Sequence, residues 1–244
     1  MRNFVDWLAG VDAHNWKAQW EIFAETIKGQ EGEYGAELHL FLSRLGEVAG
    51  AGASAYFAAL EKDTNPPAKT KVVLTAWAEK DPEAAAAFFG PLPAGIGHLL
   101  VPSLIDGIAR HGTGSLIGMS LDPRYAQFDF PVSWPLEMMA ALRQFGGIQD
   151  GESLWRRHQE MSDRQDSAHG YISHPQLFEA LVKWKTETAS TAGDAANVCR
   201  WLMGVFEEGY TGDGRWWSNA GRAATAYAKL DPASAFAWVR EFAL

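Results

Sequence analysis

The sequence predicts an all-α protein built from short helices, and three observations support this fold class. Alanine, the strongest helix former, occurs 38 times in the 244 residues, whereas Val and Ile, which favour strands, together occur 19 times. Apolar residues recur at helical spacing, for example at Val198, Trp201, Leu202 and Val205. Breaks rich in Gly, Pro, Asn and Asp divide the chain into roughly ten to twelve helices.

One pattern occurs twice, as WAEKDPEAAAAFF at 77–89 and as YAKLDPASAFAWV at 227–239. Asp is a strong N-cap residue, and Pro is favoured at the first position of a helix. Pro also disfavours helical geometry in the residue before it, so one helix must end where the next begins. The sequence therefore predicts a sharp, right-angled corner between two helices at Asp81-Pro82 and again at Asp231-Pro232.

Aromatic residues flank both predicted corners. Trp77 lies about one turn before the first corner and Phe88 about two turns after it, so the two rings are placed to pack inside the angle. Tyr227 and Trp238 hold the corresponding positions around the second corner. The alanines at 84–87 keep the second helix slim, which lets neighbouring helices approach it closely.

Weaker copies of the corner recur along the chain. The second helices of these units begin near residues 51, 81, 122, 193 and 231, at steps of 30, 41, 71 and 38 residues, and the 71 is close to two units. Helical-hairpin repeats have periods in this range. The sequence therefore predicts a degenerate, α-solenoid-like array of α-hairpins in one domain over 1–244, with 146–175 as an insertion or a distorted unit.

Two segments carry a resemblance to a known class of repeats. AWAEKDPEAAAAFFGPLPAG at 76–95 and AGRAATAYAKLDPASAFAWV at 220–239 resemble the W-x3-DP-x-x-A-x-x-W…LP-x-G helical repeats of certain large bacterial repeat proteins. The middle of the chain departs from this pattern. The resemblance implies a TPR-like or HEAT-like α-hairpin fold, and it implies no catalytic residues.

Composition and charge narrow the classes of partner. The net charge of −9 and the pI near 5.3 argue against direct binding of nucleic acid, which usually requires a basic face. No stretch approaches 18 uninterrupted apolar residues, so no membrane span is expected. The N-terminus lacks the apolar core of a signal peptide, and the sequence predicts a cytoplasmic location.

The cysteine and histidine content offers little support for catalysis. Cys199 is the only cysteine, which excludes an internal disulfide and a thiolate metal cage, and its apolar neighbours indicate an inert core thiol. A polar stretch at 156–174 contains His158, His169 and His174, but their spacing is not that of a helical zinc motif. We therefore expect no metal and no cofactor, and keep these three histidines as an alternative metal site.

The stretch YTGDGRWWSN at 210–219 is the strongest candidate for a binding surface. Trp216 and Trp217 are adjacent, and neighbours on a helix diverge by about 100°, so both cannot face the same core. Trp, Tyr and Arg dominate protein interfaces, which makes Tyr210, Arg215, Trp216 and Trp217 candidate protein-binding residues. The alternative is that both tryptophans are buried between different helices.

Two functions remain open at this stage. The leading prediction is a non-catalytic α-helical scaffold or adaptor that binds a protein with a basic surface, either by itself or as a subunit of a larger complex. A homodimer formed by stacked repeats is a further expectation. The alternative is an enzyme, such as a metal-dependent hydrolase, whose site forms between helices. That site would draw on residues distant in sequence: His98, His111, His158, His169 and His174.

Overall fold

The computed structural model describes residues 2–89, 94–119, 134–164, 174–208 and 216–242. These residues form thirteen α-helices and no strand, which confirms the all-α prediction with slightly more helices than expected. In chain order the helices are α1 (Arg2–Ala9), α2 (Trp16–Thr26), α3 (Gly35–Leu60), α4 (Ala68–Lys80), α5 (Pro82–Phe89), α6 (Ala94–His111), α7 (Thr113–Met119), α8 (Trp134–Phe145), α9 (Ile148–Arg164), α10 (His174–Thr188), α11 (Ala192–Glu207), α12 (Trp216–Leu230) and α13 (Pro232–Phe242). Within the described ranges, no helix has the length and apolarity needed to cross a membrane.

The helices form two compact units, Met1–Glu137 and Met138–Leu244. The first contains α1 to α7 and the second contains α9 to α13 with most of α8. The sequence was interpreted as one continuous repeat domain, and that arrangement stays a prediction. The described part of the expected irregular segment at 146–175 is largely one regular helix, α9.

Aromatic side chains hold the first three helices of unit 1 together. Phe23 of α2 and Phe41 of α3 stack with their ring centroids 4.7 Å apart, and Trp20 meets Phe57 edge-on at 4.8 Å. All four side chains are buried in one hydrophobic cluster. Such pairs add about 0.5–1.5 kcal/mol each beyond the area they bury, so they anchor α3 for the layer that follows.

The central helix of unit 1 is α4, which packs against α3 on one side and α6 on the other. Glycines permit both close approaches. A Cβ added at Gly46 of α3 would lie 2.3 Å from the carbonyl oxygen of Val73, and one at Gly107 of α6 would lie 2.3 Å from that of Thr75. Any larger side chain at either glycine would push the helices apart.

Helix α3 bends at Gly50, whose φ of 23° and ψ of −95° are not helical. The positive φ suits glycine, and the bend lies against the indole of Trp77, since an added Cβ would be 2.7 Å from its Nε1. One of the predicted helix starts, near residue 51, falls directly after this bend. Gly50 therefore separates two helical segments of α3, and the second segment begins where the pattern predicts a helix start.

A buried carboxylate directly after α3 caps the N-terminus of α4. Glu61 is 6% exposed, and it accepts hydrogen bonds from the backbone N–H groups of Lys69 at 3.0 Å and Thr70 at 2.9 Å. The hydroxyl of Thr70 donates to the same carboxylate at 2.9 Å. Because the first N–H groups of a helix have no partner within it, this contact fixes where α4 begins.

Unit 2 is organised around a second aromatic cluster. Phe178 of α10 lies 5.2 Å from Trp155 of α9 and 5.7 Å from Trp201 of α11, and it stacks on Trp216 of α12 at 6.0 Å. Helix α12 therefore packs on α10 and α11, and α13 packs on α12.

Candidate functional site

The Asp-Pro step in unit 1 is a direct helix-to-helix junction. The N–H of Asp81 donates to the carbonyl oxygen of Trp77 at 2.7 Å and so completes α4. The carbonyl oxygen of Asp81 accepts the N–H of Ala85 at 3.1 Å, and its Oδ1 accepts that of Ala84, also at 3.1 Å. One residue thus ends a helix and caps the next, which is the role that the sequence indicated.

The junction in unit 2 repeats these bonds 150 residues later. The N–H of Asp231 donates to Tyr227 at 2.8 Å, its carbonyl oxygen accepts from Ala235 at 3.1 Å, and its Oδ1 accepts the N–H of Ser234 at 3.1 Å. Hydrogen bonds from the side chain and backbone of Ser234 hold the pKa of the Asp231 carboxyl below its ordinary range. The two corners therefore agree bond for bond.

The flanking aromatics pack together inside the corner of unit 1. In unit 1 the rings of Trp77 and Phe88 are 5.4 Å apart at 60°, an edge-on contact between α4 and α5. In unit 2, Tyr227 and Trp238 occupy the corresponding positions and are both half-buried.

An open groove lies beside each corner, in corresponding positions. In unit 1 a groove of about 690 Å³ runs over α4, with walls from α3 and α6. In unit 2 a groove of about 540 Å³ runs over α12, with a wall from the end of α10. The floors correspond position by position at a spacing of 150, and the Thr and Ala are the same in both. The floor residues are Val72, Thr75, Ala76 and Glu79 in the first groove and Arg222, Thr225, Ala226 and Lys229 in the second.

The unit 1 groove is lined by charges of both signs, but two of its cations are already engaged. Arg44 pairs with Glu47 at 3.0 Å and donates to the carbonyl oxygen of Val11 at 3.1 Å. The ammonium group of Lys80 donates to the carbonyl oxygen of Glu47 at 2.5 Å. Asp106 is half-buried, and desolvation raises the pKa of its carboxyl against the opposing effect of Arg110.

The covering of the two corners differs. In unit 1, α6 packs on both α4 and α5, and Ala78 and Ala86 are fully buried. In unit 2 the equivalent residues are exposed: Ala228 lies on the surface and Phe236 is 70% exposed. No counterpart of α6 covers this face among the described helices of unit 2.

The two adjacent tryptophans point in different directions. Trp216 is 2% exposed and stacks on Phe206 as well as Phe178, so its side chain belongs to the core of unit 2. Trp217, by contrast, is 63% exposed. Tyr210 and Arg215, the other two candidates for protein binding, lie outside the described residues.

The described residues show no assembled histidine site. His158 is buried in α9, His169 lies outside the described ranges, and the side chain of His174 is likewise outside them. His111 bonds through Nδ1 to the carbonyl oxygen of Glu79 at 2.8 Å, and the side chain of His98 is not described. Within the described ranges, no three His, Cys, Asp or Glu side chains come together as metal ligands.

The only cysteine, Cys199, is buried and its thiol is a poor nucleophile. Cys199 is 1% exposed in α11, and burial raises the pKa of its thiol to about 11. A thiol that stays protonated at neutral pH is a poor nucleophile, which agrees with the inert core thiol expected from the sequence.

The unit 1 groove was not among the predicted sites, although a signal for it exists. The segments TAWA at 75–78 and TAYA at 225–228 match almost letter for letter, and both lie beside a groove. The wall residues from α3 and α6 are far away in sequence and carry no such signal. No protein-family model, curated protein or solved structure matches the chain.

Proposed function

We propose that the chain is a non-catalytic α-helical scaffold that binds another protein, with its hairpins arranged as a degenerate solenoid. One observation carries the proposal: the same corner, with the same hydrogen bonds and a groove beside it, recurs at a spacing of 150 residues. Repeated hairpins build extended surfaces that bind proteins.

The groove of unit 1 is the proposed binding surface. It is built on rigid elements, because α4 is held by backbone-close contacts at Gly46 and Gly107 and is capped by Glu61. A surface held this way loses little conformational entropy on binding.

The proposed partner segment is basic, and Glu79 is the carboxylate of the groove floor that would meet it, although Lys71 and Arg110 also line the groove. Arg44 and Lys80 are engaged within the chain, whereas Glu79 is exposed on the floor and Asp106 stands on the α6 wall. A Lys or Arg of the partner would be attracted by Glu79, whereas Asp106 already has Arg110 beside it. The net charge of −9 adds long-range attraction for such a partner.

The test compares the tagged full chain with two charge-reversed variants after purification from extracts of its own cells. Glu79→Lys places a like charge in the path of a basic segment. Glu33→Lys makes the same charge change at an exposed site of unit 1 outside the groove. Bound proteins are quantified by mass spectrometry against the wild type.

We expect one protein to co-purify stoichiometrically, to be lost with Glu79→Lys, and to be kept with Glu33→Lys. Its binding should also weaken with added salt, since rim charges act over about 10 Å at 0.1 M ionic strength. Equal loss with both variants would show that net charge alone matters, and a wild-type chain recovered alone would refute the scaffold function.

A further inference from the structure

Among the residues that the structure describes, one apolar face of unit 2 is uncovered, whereas its counterpart in unit 1 is buried. In unit 1, Leu74, Ala78 and Ala86 are fully buried, and α6 packs on both helices that carry them. The corresponding residues of unit 2 are Ala224, Ala228 and Phe236, of which the last two are exposed. In unit 1 the element that covers this apolar face is a helix, α6.

The contact in unit 1 shows what such a covering helix needs. Gly107 of α6 lies so close to α4 that an added Cβ would be 2.3 Å from the carbonyl oxygen of Thr75 and 2.6 Å from the Cβ of Ala78. The seat for the glycine is thus the Thr-x-x-Ala of α4. Helix α12 carries the same seat, Thr225 and Ala228, with both residues exposed.

The same helix also carries a glycine suited to such a seat. Gly221 lies in α12 one turn before Thr225, it is exposed, and a Cβ built on it meets no atom within 4 Å. Glycine is less favourable than Ala in an exposed helix, and no described atom lies close enough to Gly221 to require it there. In a two-fold symmetric contact, each copy must carry both the glycine and the Thr-x-x-Ala seat on the same face, and α12 carries both.

We propose that a second copy of this chain covers the face, through antiparallel packing of α12 against α12 of the other copy. Each Gly221 then lies over Thr225 and Ala228 of the opposite helix, so the same contact forms twice. This dimer goes beyond the proposed scaffold function and does not depend on it.

Large side chains at the ends of the face extend the contact. Trp217 is 63% exposed at the start of α12, and Phe236 is 70% exposed on α13 with Val239 one turn further. A fully buried aromatic side chain covers about 150–250 Å², and about two thirds of each of these side chains is exposed, so the two aromatics of both copies supply roughly 500 Å². With the small residues between them, the interface reaches about 1,000 Å², which is near the lower end for specific interfaces, so we expect a weak dimer.

Analytical ultracentrifugation of the full chain from about 1 to 200 µM tests the dimer, and that range suits a weak association. Gly221→Leu is the main variant, since the leucine has room in a single copy but blocks the approach of a second helix. Gly204→Leu is the matched control, because it lies in α11, also with no atom near an added Cβ. Thermal unfolding followed by circular dichroism checks that each variant is folded.

We expect a wild-type dimer, a dissociation constant raised at least about tenfold by Gly221→Leu, and no change with Gly204→Leu. Should Gly221→Leu fail to fold, Ala228→Arg, which adds charge to the exposed seat, must give the same dissociation. A wild-type chain that stays monomeric over the whole concentration range would overturn the proposal. So would a dimer whose dissociation constant is unchanged by both Gly221→Leu and Ala228→Arg. Neither result bears on the unit 1 groove, so the scaffold function stands or falls separately.

Discussion

The close approach of α6 to α4 makes Gly107→Ala a sharp test of how the groove is built. The added methyl group would lie 2.3 Å from the carbonyl oxygen of Thr75 and 2.6 Å from the Cβ of Ala78, where ordinary contact needs at least about 3.4 Å. Neither neighbour is a flexible side-chain end, so the two helices must separate. Overpacking of this kind costs about 3 kcal/mol at the upper end of its range.

A gain in helix propensity opposes this cost, since Ala is better than Gly in a helix by about 1 kcal/mol. The net expectation is a loss of about 2 kcal/mol in the free energy of unfolding, measured by urea denaturation followed by circular dichroism. Gly204→Ala is the matched control, because its methyl group meets no atom within 4 Å and should stabilise the protein by up to about 1 kcal/mol. If both variants stabilise the protein equally, the backbone-close packing of α4 and α6 is wrong.

Three further substitutions or measurements probe single contacts. Glu61→Ala should lower the free energy of unfolding, measured by urea denaturation, by about 3 kcal/mol, because the buried N–H and hydroxyl of Thr70 lose their shared acceptor. A loss below about 0.5 kcal/mol would contradict the cap. The Cys199 thiol should resist Ellman's reagent at pH 8 in the native protein and react promptly in urea, since its pKa is raised to about 11; equal rates would show that it is accessible. The pKa of the Asp231 carboxyl is lowered, so its ionised form stabilises the fold above the ordinary pKa of 3.8, and this contribution is lost as the pH falls through the pKa of the folded state. The melting temperature of Asp231→Asn should therefore be below that of the wild type at about pH 6 and converge with it in acid. A constant difference between the two melting temperatures would contradict the linkage.

Local chemistry made the corners predictable from the sequence. Pro82 disfavours helical geometry at the residue before it and is favoured at the first position of a helix, and the Asp81 side chain accepts one of the first free N–H groups. These effects act within four residues, so no tertiary information was needed. The same holds for Asp231-Pro232, and for the inference that Trp216 and Trp217 point in different directions.

The sequence does not show which side chain of each helix is buried, because that depends on packing between residues far apart in the chain. Helical geometry separates Trp216 from Trp217 but does not say which of them meets Phe178. The cap from Glu61 reaches forward eight and nine residues from the end of another helix, beyond the range of any local capping rule. The division into two units is equally hidden, because alanine-rich helices on both sides of residue 137 look alike.

The measurement that bears most directly on the scaffold function is native mass spectrometry of the chain isolated from its own cell extract, followed by hydrogen exchange of the same assembly. The account predicts a mass containing a second protein, with exchange slowed in the parts of α3, α4 and α6 that line the unit 1 groove. A chain that carries only a metal or a small molecule would contradict it. Slowed exchange confined to α12 and α13, with the mass of two identical chains, would establish the dimer but leave the scaffold without a partner.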